Sequence, residues 1–322
     1  MSNSKEILFH IGMPRTGTTT LQRNLFQNTD YFVGMPVHQD GKPDRFWRQA
    51  GLAICKPTSP PGIQCVKNKI KTLEENAEAE NKRIVISDEM FTSLGSPLYF
   101  QEIYANRIKA VASNSAVFLV IRNQQEIIKS RYRQHKVWRQ WAAIGLPIGY
   151  QYTDKKPSLF KLIPKKVIRF DRWLKYGIAT QDHNWFSNLN YYQLYKSYCD
   201  ILGSDKVFVL FFEDMVKNPE YFSKQLGDIL SVDHNVVLKA LKDKKNTSKG
   251  NYLKRIRKSP VNNGLGIPNF IRLNYHQFIG KGGLDPSVDG ELRELIQSTW
   301  GSDNKKLSRE LGVDLEAKGY LL

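Results

Sequence analysis

The 322-residue chain carries 48 Lys and Arg against 31 Asp and Glu, a formal charge of +17, and is 41% hydrophobic and 11% aromatic. That apolar content supports a sizeable core, in one large α/β domain or two small ones, rather than long disorder as the default, while the charge favours anionic partners: a multiply phosphorylated nucleotide, an acidic polysaccharide, an anionic membrane touched peripherally, or nucleic acid. Cys55, Cys65 and Cys199 lack metal-ligand spacing and cannot all pair, so reduced thiols and no metal are expected, and no run of about 18 apolar residues exists to span a bilayer.

In chain order, Met1-Ser2-Asn3-Ser4-Lys5-Glu6 leads straight into a predicted strand, Ile7–Ile11, leaving no room for a signal peptide and pointing to a cytoplasmic location. The apolar run then breaks into Gly12-Met13-Pro14-Arg15-Thr16-Gly17-Thr18-Thr19-Thr20 before a helix predicted over Thr19–Asn28. A strand, a glycine-bounded turn and a helix opening are the parts of a phosphate cradle, because backbone amides and the positive end of the helix dipole converge there. In an ATP- or GTP-binding loop, G-x-x-x-x-G-K-[ST], a lysine follows the second glycine. Here Thr18 stands in its place, which disfavours a γ-phosphate as cargo, and Arg15 inside the loop supplies the positive charge instead. The plainer reading is a strand-to-helix turn whose threonines cap the helix.

Met35–Gly62 reads as an irregular excursion, followed by a helix over Lys67–Asn81 and a strand over Arg83–Ser87. Ser87-Asp88-Glu89 lies directly after that strand, so its carboxylates open onto the same sheet edge as the glycine-bounded loop. A helix over Pro97–Asn114 leads to Ala116–Ile121, an apolar run long enough for a buried parallel strand, which ends at Arg122. Open α/β sheets bind ligands at that edge. Asn123 suits the cap of a helix over Gln124–Ile144, and Ser130, two turns in, is near enough for Arg122 and Ser130 to share one phosphate. Gly145–Gln181 is a second excursion. Helices over Asn190–Leu202, Pro219–Leu230 and Gly290–Leu311 and a strand over Val207–Phe212 complete the pattern. Strands alternating with helices imply an α/β fold, a mostly parallel central sheet with helices on both faces, and no internal linker divides the single domain 1–322.

The segment Pro14–Leu21 resembles the 5'-phosphosulfate loop of the PAPS-dependent sulfotransferases, a basic residue, any residue, then Gly-Thr-Thr. Arg122 with Ser130 resembles the family's 3'-phosphate motif, and Ser87-Asp88-Glu89 is similar to a segment of bacterial, carbohydrate-type members. The resemblance implies a P-loop-NTPase-like three-layer sandwich and transfer of a sulfuryl group from PAPS, 3'-phosphoadenosine 5'-phosphosulfate, to an acceptor hydroxyl without a metal. It further implies that Arg15, Thr16, Gly17, Thr18, Thr19 and Thr20 hold the 5'-phosphate, that Arg15 steadies charge on the leaving oxygen, and that Arg122 and Ser130 take the 3'-phosphate. Ser248 and Lys249, in Lys245–Gly250, match a loop that closes over the nucleotide. The late strand, Glu213-Asp214 and Asn218-Pro219 match a family turn whose acids are structural.

Glu89 is the expected general base and Asp88 a cap or orienting group; the ordinary alternative is that both acids cap a helix from Met90. Histidine is the rival base, among His10, His135 and His183, with His10 at the end of the first strand the best placed. Residues 35–62 and 145–181 are expected on the acceptor side. Tyr150, Tyr152, Phe160, Phe170 and Trp173 with nearby lysines suit either a glycan platform or the core, and Ser302–Leu307 and Leu315–Tyr320 look like endings of bacterial glycan sulfotransferases. A glycan is therefore expected over a small molecule or lipid. The other readings are a nucleotide or small-molecule kinase, a binding-only pocket, and a basic nucleic-acid-binding protein using clusters such as Lys242–Lys245; no nucleic-acid module accompanies those clusters.

Overall fold

The computed structural model describes residues 6–33, 54, 60–92, 97–134, 170–242 and 286–322. Five strands, β1 (Ile7–Ile11), β2 (Phe32–Val33), β3 (Arg83–Asp88), β4 (Ser115–Ile121) and β5 (Val207–Phe211), form one sheet in the order β2-β3-β1-β4-β5. All neighbours are parallel: Phe9 pairs with Ile86 on one side and Val117 on the other, and Leu119 pairs with Val209.

Near-continuous burial explains why these runs read as strands. Each of the residues of β1 and β4 is buried, as expected where helices cover both faces. Alternate side chains divide between two cores. Ile7, Phe9, Ile11, Ile84, Ile86, Val117, Leu119 and Ile121 face one. It is filled by α3 (Gln101–Val111), α4 (Gln124–Gln134), α6 (Tyr191–Leu202) and α10 (Gly290–Leu311). Leu8, Val85, Ala116, Phe118 and Val120 face the other. There they meet α1 (Thr18–Thr20, continuing as a π-helical segment Leu21–Leu25), α8 (Pro219–Leu230) and α9 (His234–Lys242). The result is the three-layer arrangement the alternation implied.

The long helix α2 (Pro60–Ala79) starts within the stretch read as an excursion, seven positions before the expected Lys67. Three elements carry no expectation from the sequence: the short edge strand β2, α9, and α5 (Phe170–Ala179). Helix α5 lies inside the stretch read as an irregular excursion. Its Trp173 is fully buried against Tyr132, Trp185 and Phe186, so that ring belongs to the core rather than to a platform. Tyr150, Tyr152, Phe160 and the stretch beyond Gln134 expected to continue α4 lie outside the described residues. Phe212, expected as a strand end, opens a helix, α7 (Phe212–Lys217). Cys65 is exposed and Cys199 buried, both as free thiols. Among the described residues no helix is long and apolar enough to cross a membrane.

Candidate active site

The chain leaves β1, builds outward to β2 and β3, then returns across β1 to β4, so the carboxyl end of β1 is the switch point of the sheet, where open α/β sheets take ligands. Gly12 starts the turn there. Its N–H donates to the Asp88 carbonyl at 3.1 Å, and its own carbonyl accepts from Thr92 Oγ1 at 2.8 Å. A Cβ at Gly12 would stand 3.2 Å from the Asp88 carbonyl oxygen and 2.9 Å from Thr18 Cγ2, so the close seat of the loop on the end of β3 needs glycine.

Arg15 (φ 76°) and Gly17 (φ 84°) are both left-handed, which curls the loop. For Arg15 this conformation costs about 1–2 kcal/mol, and strain of this kind collects at ligand clamps. The Thr16 and Thr18 hydroxyls both donate to the Met13 carbonyl, at 2.7 and 2.9 Å, and both residues are buried. These two hydroxyls stitch the loop to itself. The helical ladder begins only where the Thr20 and Leu21 amides reach back to Gly17, so the amides before them lie ahead of it, as at any helix start. Replacing Gly17 by alanine should lower unfolding free energy by about 1–2 kcal/mol from the backbone alone, with further crowding because its Cβ would stand 2.6 Å from Met215 Sδ. Denaturant melts check this; an unchanged midpoint at constant slope would show that the loop tolerates a side chain there.

Strand β4 delivers Arg122 to the same edge. Arg122 Nη1 donates to the Arg15 carbonyl at 3.3 Å, its guanidinium lies 4.6 Å from the Phe212 ring centroid, and Glu126 pairs with it at 3.5 Å. Asn123 caps α4, its Oδ1 accepting from the Glu126 amide at 3.0 Å. On α4, Ser130 accepts a 2.6 Å hydrogen bond from Arg15 Nε. Two stretches 115 residues apart thus meet at one point. Behind them Glu213 accepts from the Asn123 amide at 3.0 Å and from Asn123 Nδ2 at 3.1 Å, and Tyr191 donates to the Arg122 carbonyl at 2.5 Å. Asp214 pairs with Lys318 at 2.6 Å, so Glu213 and Asp214 brace the strand end and the C-terminal segment.

Glu89 opens a short 3₁₀ turn, Glu89–Thr92, directly after β3, and Asp88 Oδ1 accepts from the Met90 amide at 2.9 Å as the cap. Burial pushes the Glu89 carboxyl above its ordinary range, against the opposing pull of Arg131 and Arg15. Arg131, which the sequence motifs do not single out, is the additional member of this group. It follows Ser130 and sits one helical turn after Ile127, on the buried face of α4, and a cation in phase with two isoleucines is the signal that marks it.

His10 is fully enclosed. Its Nδ1 lies 2.7 Å from Ser87 Oγ, its ring stacks on Phe118 at 4.6 Å, and burial holds its pKa at about 3, so it is neutral. Although it sits on β1 just before the loop, it packs into the core shared with α1 and α8. His183 is exposed at the end of a 3₁₀ turn, and His135, Ser248 and Lys249 lie outside the described residues. Among the described residues no three His, Cys, Asp or Glu side chains are grouped to hold a metal.

A parallel sheet with a glycine-bounded loop at its switch point defines an α/β protein of the P-loop-like kind. The chain belongs to the sulfotransferase family: the family model described as a sulfotransferase domain matches residues 6–284. Its fold is similar to that of a sulfotransferase from Alicyclobacillus acidocaldarius, with a TM-score of 0.51 at 14% identity, covering 98% of each chain. Sulfotransferase domains from the Synechococcus PCC 7002 olefin synthase (14% identity, TM-score 0.43, 98% and 97% covered) and from the curacin biosynthetic pathway (16%, 0.42, 96% and 98%) also align. No curated protein matches the chain.

Proposed function

We propose that this sulfotransferase uses PAPS as donor and a hydroxyl of a glycan as acceptor. The observation that carries the donor reading is the Arg15–Ser130 contact at 2.6 Å, with Arg122 reaching the Arg15 carbonyl. Three groups able to bind phosphate converge on a curled loop that lacks the lysine of nucleotide triphosphatases, which suits a nucleotide phosphorylated at two separate positions. In this reading the amides of Thr16, Gly17, Thr18 and Thr19 and the hydroxyl of Thr20 hold the 5'-phosphate, Arg122 and Ser130 hold the 3'-phosphate, and the whole chain acts as one domain.

The acceptor oxygen attacks sulfur while its proton passes to the Glu89 carboxylate. The bond from sulfur to the bridging oxygen of the 5'-phosphate breaks, leaving a sulfate ester and adenosine 3',5'-bisphosphate. Arg15 steadies the charge that gathers on the bridging oxygen. Glu89 takes the base role ahead of His10 because the His10 ring is sealed in the core. The glycan reading rests on the likeness to carbohydrate-type members and on the +17 charge, which suits an acidic polysaccharide. Incubation with sulfur-labelled PAPS and a panel of acidic and neutral glycans, phenols and lipid alcohols tests it. Label on a glycan is expected; label only on a phenol or lipid would overturn the acceptor class.

A further inference from the structure

Arg131 is 5% exposed, and two of its nitrogens, Nε and Nη2, are buried with no hydrogen-bond partner among the described residues. Its guanidinium lies 4.7 Å from the centroid of the Trp185 ring. That contact attracts the cation through the ring face but accepts none of its in-plane N–H groups. Burial lowers its pKa to about 10, which leaves it charged at neutral pH. A buried guanidinium with unused donors is unfavourable unless an anion reaches it.

The surroundings indicate which anion. Arg131 interacts electrostatically with Glu89 and with Arg15, so it lies near both the group that takes the acceptor proton and the group beside the leaving oxygen. Arg15 and Arg131 bring two positive charges and ionised Glu89 one negative charge, a surplus of one. A single sulfonate cancels it. Without that second cation, an ionised glutamate would face the negatively charged sulfonate with Arg15 alone to offset the repulsion.

Resting on the donor assignment above, we propose that Arg131 is a second cation of the transfer centre, donating N–H to the non-bridging oxygens of the sulfuryl group as it passes from the bridging oxygen to the acceptor. Arg131 forms and breaks no covalent bond; the proton goes to Glu89 and the electron pair of the broken S–O bond to the nucleotide, as before. The residue is distinct from the loop and from the Arg122–Ser130 pair because it answers to the sulfonate and not to either phosphate.

The test compares PAPS with adenosine 3',5'-bisphosphate, which lacks the sulfonate, on the full chain as wild type, Arg131→Met and Arg131→Lys. Calorimetric binding, transfer rate and thermal unfolding are read together. The expected result is bisphosphate affinity within twofold of wild type in Arg131→Met, loss of the extra affinity for PAPS, and transfer slowed by about 10²-fold. Arg131→Lys should restore part of the rate by returning a charge without the fork. Unfolding of Arg131→Met should occur at or above the wild-type temperature, because a buried, unsatisfied cation has been removed. A lowered unfolding temperature with both nucleotides weakened by the same factor would make Arg131 a structural residue and overturn the proposal, as would unchanged PAPS affinity and rate. If Arg131→Met fails to fold, Arg131→Lys carries the same comparison. Wild type that binds neither nucleotide would instead overturn the donor assignment itself, and this proposal with it.

Discussion

Glu89→Gln should lower kcat by about 10²–10⁴-fold, the range for removing a general base, with little change in affinity for adenosine 3',5'-bisphosphate. Glutamine keeps the size and polarity of the side chain, so the 3₁₀ turn capped by Asp88 should persist and the loss should report proton transfer alone. The pH profile adds a sign. Burial raises the Glu89 pKa, and a base works only when ionised, so wild-type activity should fall as pH drops through a value above the ordinary glutamate range. Arg131 and Arg15 keep that limb from moving higher. The limb should vanish in Glu89→Gln. A retained limb with kcat near wild type would remove Glu89 from the chemistry and require another base.

Arg15→Ala should slow transfer by about 10²–10³-fold while weakening bisphosphate binding far less, because the charge Arg15 meets on the bridging oxygen develops only as sulfur departs. Its left-handed backbone bears on the outcome as well. Removing the side chain leaves a non-glycine residue at φ 76° without the Ser130 contact that helps hold it, so some loss of loop order is built into the alanine variant. Arg15→Gly separates the two effects: it relieves the backbone and still lacks the charge. Comparable slowing in both variants, measured under single-turnover conditions, assigns the effect to the guanidinium; a glycine variant at wild-type rate would assign it to loop strain.

The strands were legible because burial on both faces leaves a nearly continuous apolar run, as in Ile7–Ile11, which is broken only by His10 and matches β1 at both ends. Helix α8 was legible because Asn218 and Pro219 mark its start: the Asn218 side chain accepts from the Tyr221 amide, and proline needs no amide partner in the first turn. Helix α10 ends at Leu311 because Gly312 takes the left-handed cap. By contrast, β2 has two residues and no pattern to read, and α9 and α5, though amphipathic, are only nine and ten residues long, α5 beginning inside a stretch that reads as irregular.

At the site, the glycine-bounded loop and the residues Arg122 and Ser130 could be picked out in the sequence because each combines telling residue types at short spacing. What did not show depends on contacts between distant elements. The inward turn of the Thr16 and Thr18 hydroxyls follows from the fold of the loop onto Met13, and the sealing of His10 follows from Phe118 and Ser87 on neighbouring strands. Arg131 interacts with Glu89 only because the fold brings two stretches that are distant in the chain together.

The donor site is tested most directly by calorimetric titration of the full chain with adenosine 3',5'-bisphosphate, adenosine 5'-monophosphate and ATP-magnesium, on wild type and Arg122→Ala. Selective binding of the bisphosphate, reduced to the level of the monophosphate in the variant, is the predicted result. Equal or tighter binding of ATP-magnesium, unaffected by Arg122→Ala, would contradict it and return the loop to a kinase-like role.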